Sequence, residues 1–220
     1  MPDLVRRGIY ALPLAGVLTG APWLVLLGGP APKTDPAGYA RAVTSAGHAV
    51  AGYVYLAGLI CLLYGLLALY GYLARARPSS WAAAAMVVSV LGIALTLPVF
   101  GILGLADAIL GDVYLAGHKD VSAAMVLMSG GTFSDRITTY LGILVFVSLV
   151  GAIAYGVAVW RSGSLPKWAG VIVAAGFVLT MTLTPFLAWV GAICLVIGGA
   201  WLAMRINQAL SASPALQHAT

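Results

Sequence analysis

The feature that most constrains this chain is a long stretch without charge. Trp168 to Met204 spans 37 residues with no Asp, Glu, Lys or Arg. As one helix it would reach about 55 Å at a rise of about 1.5 Å per residue. The hydrocarbon core of a bilayer is only about 30 Å thick. Near the middle of the run stands LTMTLTPFLAW, in which threonines lead into Pro185. Proline lacks an N–H and disfavours helix at the residue before it. The run therefore reads as two short membrane spans, 168–184 and 186–204, reversing at Thr184–Pro185 on the outer side.

Four further uncharged runs, 8–32, 42–74, 78–106 and 137–160, each hold one span of about 20 residues. Their predicted positions are 8–28, 48–73, 81–104 and 137–160. The opening residues carry the basic start and apolar core of a signal peptide. The apolar run continues to Gly29 with no A-x-A site, so this segment reads as a retained first helix. The prediction is an all-α membrane protein, a six-helix transmembrane bundle forming a single domain over 1–210 with a flexible cytoplasmic tail at 211–220. Composition agrees: 62% of residues are hydrophobic and 8% charged, against about 25% charged in soluble domains.

Six spans place both termini on one side. That side receives Arg6, Arg7, Arg75, Arg77, Arg161, Lys167 and Arg205 against Asp3 alone. The other receives Lys33, Arg41, Lys119 and Arg136 against Asp35, Asp107, Asp112, Asp120 and Asp135. Basic residues favour the cytoplasmic side, so the termini are predicted to be cytoplasmic in an inner (plasma) membrane. Tyr10, Tyr70, Tyr72, Trp81, Trp160, Trp168 and Trp201 fall near the same interface as an aromatic belt. The net charge of +5 is scattered in ones and twos, which excludes the basic stripe of a nucleic-acid binder and leaves the lipid bilayer as the first partner.

Helix 2 runs into YGLLALYGYLARARPSSWAA and helix 4 into YGVAVWRSGSLPKWAG, two similar passages from Tyr-Gly through arginine and proline to Trp-Ala. Helices 1, 3 and 5 carry threonine and proline toward their outer ends: Thr19 and Pro22, Thr96 and Pro98, Thr184 and Pro185. Three parallel helical hairpins would produce this echo.

Candidate chemistry gathers in GLADAILGDVYLAGHKD, residues 104–120. If helix 3 continues outward, Asp107, Gly111, Tyr114 and His118 share one helical face. A carboxylate, a phenol and an imidazole on one stripe could hold a metal or polar ligand, with His48, which opens helix 2, and Asp112 beside them. Two histidines on one side also raise a haem site, since imidazole is a common axial ligand. The plainer expectation is an exit segment: helix 3 extended by one to three turns, Leu105, Ile109, Val113 and Leu115 resting on the bundle, Asp112 and Lys119 in water. His48 then meets water or Tyr53. No catalytic residue and no metal or cofactor is predicted, although a bound lipid or other lipophilic molecule is compatible with the composition.

No Asp, Lys, Arg or His falls in the centre of a span, and the chain contains no Glu. Proton relays and ion-coupled pumps place such groups at mid-depth, so a coupled transporter is disfavoured. Motifs of the G-x-S-x-G, H-E-x-x-H and G-x-x-x-x-G-K kind are missing as well, which points away from an enzyme. MSGGTFSD (128–135) reads as a turn with Ser134 or Asp135 capping helix 4. Cys61 and Cys194 read as buried structural thiols. Gly16–Gly20 and Ser148–Ala152–Gly156 permit close helix approach, within the bundle or to another membrane subunit.

The D-P-x-x-Y-A-R-A-V segment at 35–43, the helix ending LLALYGYLARARP and the VAVWRSGSLPKWAGV passage resemble bacterial six-span integral membrane proteins of the domain-of-unknown-function 4386 type. The resemblance implies a bacterial inner-membrane bundle and brings no catalytic residues. The function expected from all this is non-catalytic: an accessory subunit of a membrane complex, or a binder of a lipid, quinone or pigment. A small permease is the alternative, and a membrane enzyme or metal or haem site at the outer face a more distant one.

Overall fold

The computed structural model describes residues 2–26, 29–76, 79–129, 135–181 and 185–212. Their regular structure is entirely helical. Ten α-helices follow one another: α1 (Pro2–Gly8), α2 (Ala11–Gly20), α3 (Pro22–Leu26), α4 (Pro36–Val43), α5 (Ala46–Ala76), α6 (Ser80–Leu115), α7 (Ser122–Ser129), α8 (Asp135–Ser162), α9 (Lys167–Thr180) and α10 (Pro185–Ala212). A 3₁₀ turn, Lys119–Val121, links α6 to α7.

Four helical stretches among the described residues are long and apolar enough to cross a membrane: 46–76, 80–98, 139–162 and 186–211. They expose apolar side chains such as Ile60, Leu91, Phe146, Ile153 and Ile197. Outward-facing apolar side chains at this density suit lipid as the surrounding solvent. The remaining two predicted spans differ from a simple rod. The segment expected as one helix over 8–28 is broken into α1, α2 and α3. Pro13 cannot donate to the carbonyl of Ile9, and Pro22 opens a new helix at its first position. The fifth helix, α9, has 14 residues, about 21 Å of rise. The expected reversal at Thr184 and the expected cap at Ser134 lie outside the described residues, as does the tail from residue 213.

The long helices pack as a ring in chain order. α2 packs on α5, α5 on α6, α6 on α8, α8 on α9, α9 on α10, and α10 returns to α2. Neighbours are antiparallel. Gly58 meets Thr19 while Gly65 meets Leu12, and Gly176 meets Leu195 while Gly191 meets Thr180. The small-residue spacings read in the sequence serve this internal packing. A Cβ on Gly16 would come within 2.6 Å of the Ala192 carbonyl oxygen. Close approach between α6 and α8 rests on two matching quartets, Ser89-Val-Leu-Gly92 and Ser148-Leu-Val-Gly151. Each serine hydroxyl sits in the notch above the other helix's glycine: added Cβ atoms would lie 2.8 Å from Ser148 Oγ and 2.7 Å from Ser89 Oγ.

Leu59, Leu62, Leu66, Ile93, Phe177 and Leu195 fill the centre and are fully buried. Two tyrosines cross it. Tyr55 Oη donates to the Thr180 carbonyl at 3.2 Å, and Tyr155 Oη donates to the Leu66 carbonyl at 2.8 Å. Tyr72, expected in an interfacial belt, is instead a core residue at 8% exposure, because α5 turns it inward beside Leu69 and Leu73. Cys61 and Cys194, expected buried, are free thiols of intermediate exposure.

One end of the bundle is basic and the other acidic. At the basic end Asn207 Nδ2 donates to Tyr10 Oη at 2.6 Å, Trp160 and Trp168 meet edge to face with centroids 6.1 Å apart, and Lys167 Nζ lies 5.3 Å from the Trp160 ring centroid. The acidic end carries a small cap made of α4, α7 and the last turns of α6.

Candidate functional site

The cap begins with local chemistry. Asp35 Oδ1 accepts a 2.8 Å hydrogen bond from the Gly38 N–H, and Pro36 occupies the first helical position. Both are strong helix-start signals. They turn the D-P-x-x-Y-A-R-A-V segment into a helix where the sequence reading has only a loop. α4 then packs on α6, with Gly111 against Ala40, Val43 and Thr44. Ala40, Tyr114 and Met125 form a second small core under Tyr39 and Leu110.

α6 continues eleven residues beyond the predicted end of the span and stops at Leu115. Gly117 takes φ +112°, its N–H donates to Tyr114 O at 3.1 Å, and the His118 N–H donates to Val113 O at 3.3 Å. This is a Schellman ending. It sorts the expected stripe into two groups. Asp107, Gly111 and Tyr114 do share one face, turned toward α4. His118 leaves the helix, is exposed, and precedes the 3₁₀ turn. Asp112 is exposed on another face. The apolar contacts also differ from expectation: Ile109 and Leu115 are 60% and 44% exposed, and Leu110 and Tyr114 pack instead. Leu105 lies among residues whose side chains are not described. Lys119 folds back over Tyr114, with Nζ 3.9 Å from the ring centroid and 3.0 Å from the Tyr114 carbonyl oxygen.

Three elements converge on Asp107. Tyr39 from α4 donates its phenol hydrogen to the Asp107 carboxylate, and His48 from α5 lies within electrostatic reach. Asp107 Oδ1 is buried without a hydrogen-bond partner. Burial, the largest influence, pushes the Asp107 carboxyl above its ordinary range, while the Tyr39 hydrogen bond and the His48 charge pull it down. The Tyr39 phenol is pushed up by burial and by the neighbouring carboxylate. Of the predicted residues, therefore, the fold brings together His48 and Asp107, buries Tyr114 as packing, and leaves Asp112 and His118 apart. Tyr39 was not anticipated; the Asp-Pro start of α4 is the signal that could have found it. Among the described residues no three His, Cys, Asp or Glu side chains are placed to hold a metal ion.

A second feature faces lipid. α8 and α9 enclose an apolar groove of about 480 Å³, lined by Ile153, Gly156, Val157, Trp160, Ala174, Ala175 and Val178 among others. Small residues create it, with a Cβ on Gly156 falling 3.2 Å from that of Ala174. Its basic end is marked by Trp160 and Lys167. Compared with family models, with curated proteins and with solved structures, the chain matches none.

Proposed function

We propose that the protein is a non-catalytic, six-span membrane protein that binds a lipophilic molecule (a lipid, quinone or pigment) in the groove between α8 and α9. The observation that carries this reading is the groove itself. It is apolar along its length and open sideways, and it ends at an aromatic pair and a lysine. An acyl or isoprenoid chain is shaped for such a trough, and Trp160, Trp168 and Lys167 suit a more polar end at the interface. The interior speaks for binding over transport, because apolar side chains fill it and the Tyr55 and Tyr155 hydroxyls are held by backbone carbonyls across it.

In this reading the basic end faces the cytoplasm, the protein sits in a bacterial inner membrane, and its kinship lies with the domain-of-unknown-function 4386 type. An accessory role in a larger complex would then operate through the bound molecule. The test is native mass spectrometry of protein purified in mild detergent. Wild type should retain a stoichiometric amphiphile. Ala175→Phe, at an exposed groove position, should lose it without a change in thermal stability. A wild-type protein carrying no such amphiphile, or an Ala175→Phe protein that keeps it, sinks the reading.

A further inference from the structure

At the basic end, the two similar turns noted in the sequence meet in a pocket that the lipophilic reading does not use. Its volume is about 550 Å³, and its lining is Leu73, Ser79, Ser80, Trp81, Ala82, Ala158, Arg161 and Ser162. Leu73, Ala82 and Ala158 are buried and form its floor. The end of α8 supplies Arg161 and Ser162, and the start of α6 supplies Ser79, Ser80 and Trp81.

Charge is the telling property of this pocket. The chain has six acidic residues, all aspartates. Asp35, Asp107, Asp112 and Asp120 belong to the opposite end, Asp135 begins α8 a full helix length away from Arg161, and Asp3, the one aspartate at the basic end, stands on α1, which does not line the pocket. Among the described residues Arg161 forms no ion pair or hydrogen bond. A guanidinium presents a planar fork of donors matched to phosphate and carboxylate. The hydroxyls around it are partly committed. Ser79 Oγ already accepts the Trp81 N–H at 3.2 Å, and Ser162 Oγ donates to the Val159 carbonyl at 2.7 Å. That leaves the Ser80 hydroxyl, and the Ser80 and Ala82 N–H groups in the first turn of α6, which have no intrahelical acceptor. The dipole of a 36-residue helix adds positive potential at the same point.

We propose that this pocket binds a phosphate group, with Arg161 as its charged clamp and Ser80 and the α6 N-terminus as the neutral donors. Trp81, 46% exposed at the rim, offers an apolar face to whatever the phosphate is attached to. Phosphate chemistry here has two sources, an anionic phospholipid headgroup or a soluble phosphorylated molecule, and the experiment separates them. The site is independent of the α8–α9 groove, and Ala175→Phe should leave it unaffected.

The experiment compares wild type, Arg161→Gln, Arg161→Lys and Arg205→Gln in mild detergent. Binding of phosphatidylglycerol and of phosphatidylcholine with the same acyl chains is read by native mass spectrometry. Thermal stability is read against increasing inorganic phosphate. With lipid as the source, wild type should prefer phosphatidylglycerol, Arg161→Gln should lose about tenfold in that preference, and Arg161→Lys should keep part of it. Arg205→Gln, at the same end but outside the pocket, should change it little. With a soluble source, inorganic phosphate should stabilise wild type and Arg205→Gln but not Arg161→Gln. If neither probe depends on Arg161, or if Arg205→Gln matches the loss at Arg161, general attraction at a basic surface is sufficient and the proposal is overturned. Ser80→Ala guards against misfolding of the arginine variants: a smaller, several-fold loss supports the site, and unchanged binding in both it and Arg161→Gln ends it.

Discussion

The hydroxyl of Tyr155 on α8 donates a 2.8 Å hydrogen bond to the carbonyl oxygen of Leu66 on α5. The bond crosses the interior between helices that are not successive in the ring, and so ties α5 to α8 directly. Hydrogen bonds between membrane helices contribute about 0.6 kcal/mol on average and up to about 1.7. Tyr155→Phe should therefore lower stability by about 1 kcal/mol, with the fold retained, as read by thermal unfolding in detergent. No change would show that the packing of the ring alone holds these helices.

Ser89 and Ser148 make the opposite prediction. Both are buried, and neither Oγ has a hydrogen-bond partner. Each lies against a glycine backbone, where a weak Cα–H···O contact is the available interaction. Ser89→Ala should shift stability by no more than about 0.5 kcal/mol. Gly92→Val should cost about 1–3 kcal/mol by overpacking, because a Cβ there meets Ser148 Oγ at 2.8 Å and its Cα at 3.1 Å. The pair of unfolding midpoints distinguishes a packing role from a hydrogen-bonding one.

Asp107 gives the cap a pH dependence of defined sign. Its carboxyl is raised above the ordinary value, chiefly by burial, so the folded cap prefers the protonated form. That contribution is complete below about pH 3.9, the unperturbed aspartate value, and is lost as pH rises through the raised folded value. Asp107→Asn should make the cap more stable than wild type at neutral pH, with the difference disappearing in acid. Hydrogen exchange of the α4 amides across that range is the measurement. A cap that tightens in wild type as pH rises would contradict the assignment.

Tyr39→Phe tests the same junction from the other side. The phenol's hydrogen bond is one of the two influences that lower the Asp107 carboxyl, so removing it should move the acid transition of the cap to higher pH. His48→Ala should move it in the same direction. A variant that leaves the α4 exchange profile unchanged would show that its residue does not act on Asp107.

Topology has its own test. Six crossings require the loop after α6 and the end of α10 to face opposite sides of the membrane. Reporter fusions at Gly117 and after Arg205 should therefore give opposite sidedness. Equal sidedness would exclude six crossings.

Proline, glycine and charge made much of this architecture legible in advance. The reading of 48–73 and 137–160 as spans corresponds to α5 and α8, because both are continuous apolar runs bounded by charge and turn residues. α9 ends at Thr180 and α10 opens at Pro185, a first helical position that suits proline. The face joining Asp107, Gly111 and Tyr114 was readable from helical periodicity, but its partner was not: burial came from α4, which lies about 70 residues earlier. Hydropathy carries no information on that contact. His118 was misplaced on the stripe because Gly117 ends the helix one residue before it, and a glycine at that position is a readable stop. The break of the first span was less accessible. Pro13 could have signalled a kink, yet only the packing of α2 between α5 and α10 shows how the divided helix is held.

The length of α6 has a consequence for how the two ends of the molecule are joined. It starts at Ser80 and ends at Leu115, a rod about 54 Å long whose two ends stand at the basic-end pocket and beneath the acidic-end cap. Pro98 interrupts its hydrogen-bond ladder part-way. Below that residue the Ser–Gly quartets clamp the rod to α8, and Tyr140 Oη braces the Leu95 carbonyl at 2.9 Å. The proline thus divides the rod into a half clamped to α8 and a half held by the cap of α4 and α7, so one continuous helix joins the two chemically opposite ends of the bundle.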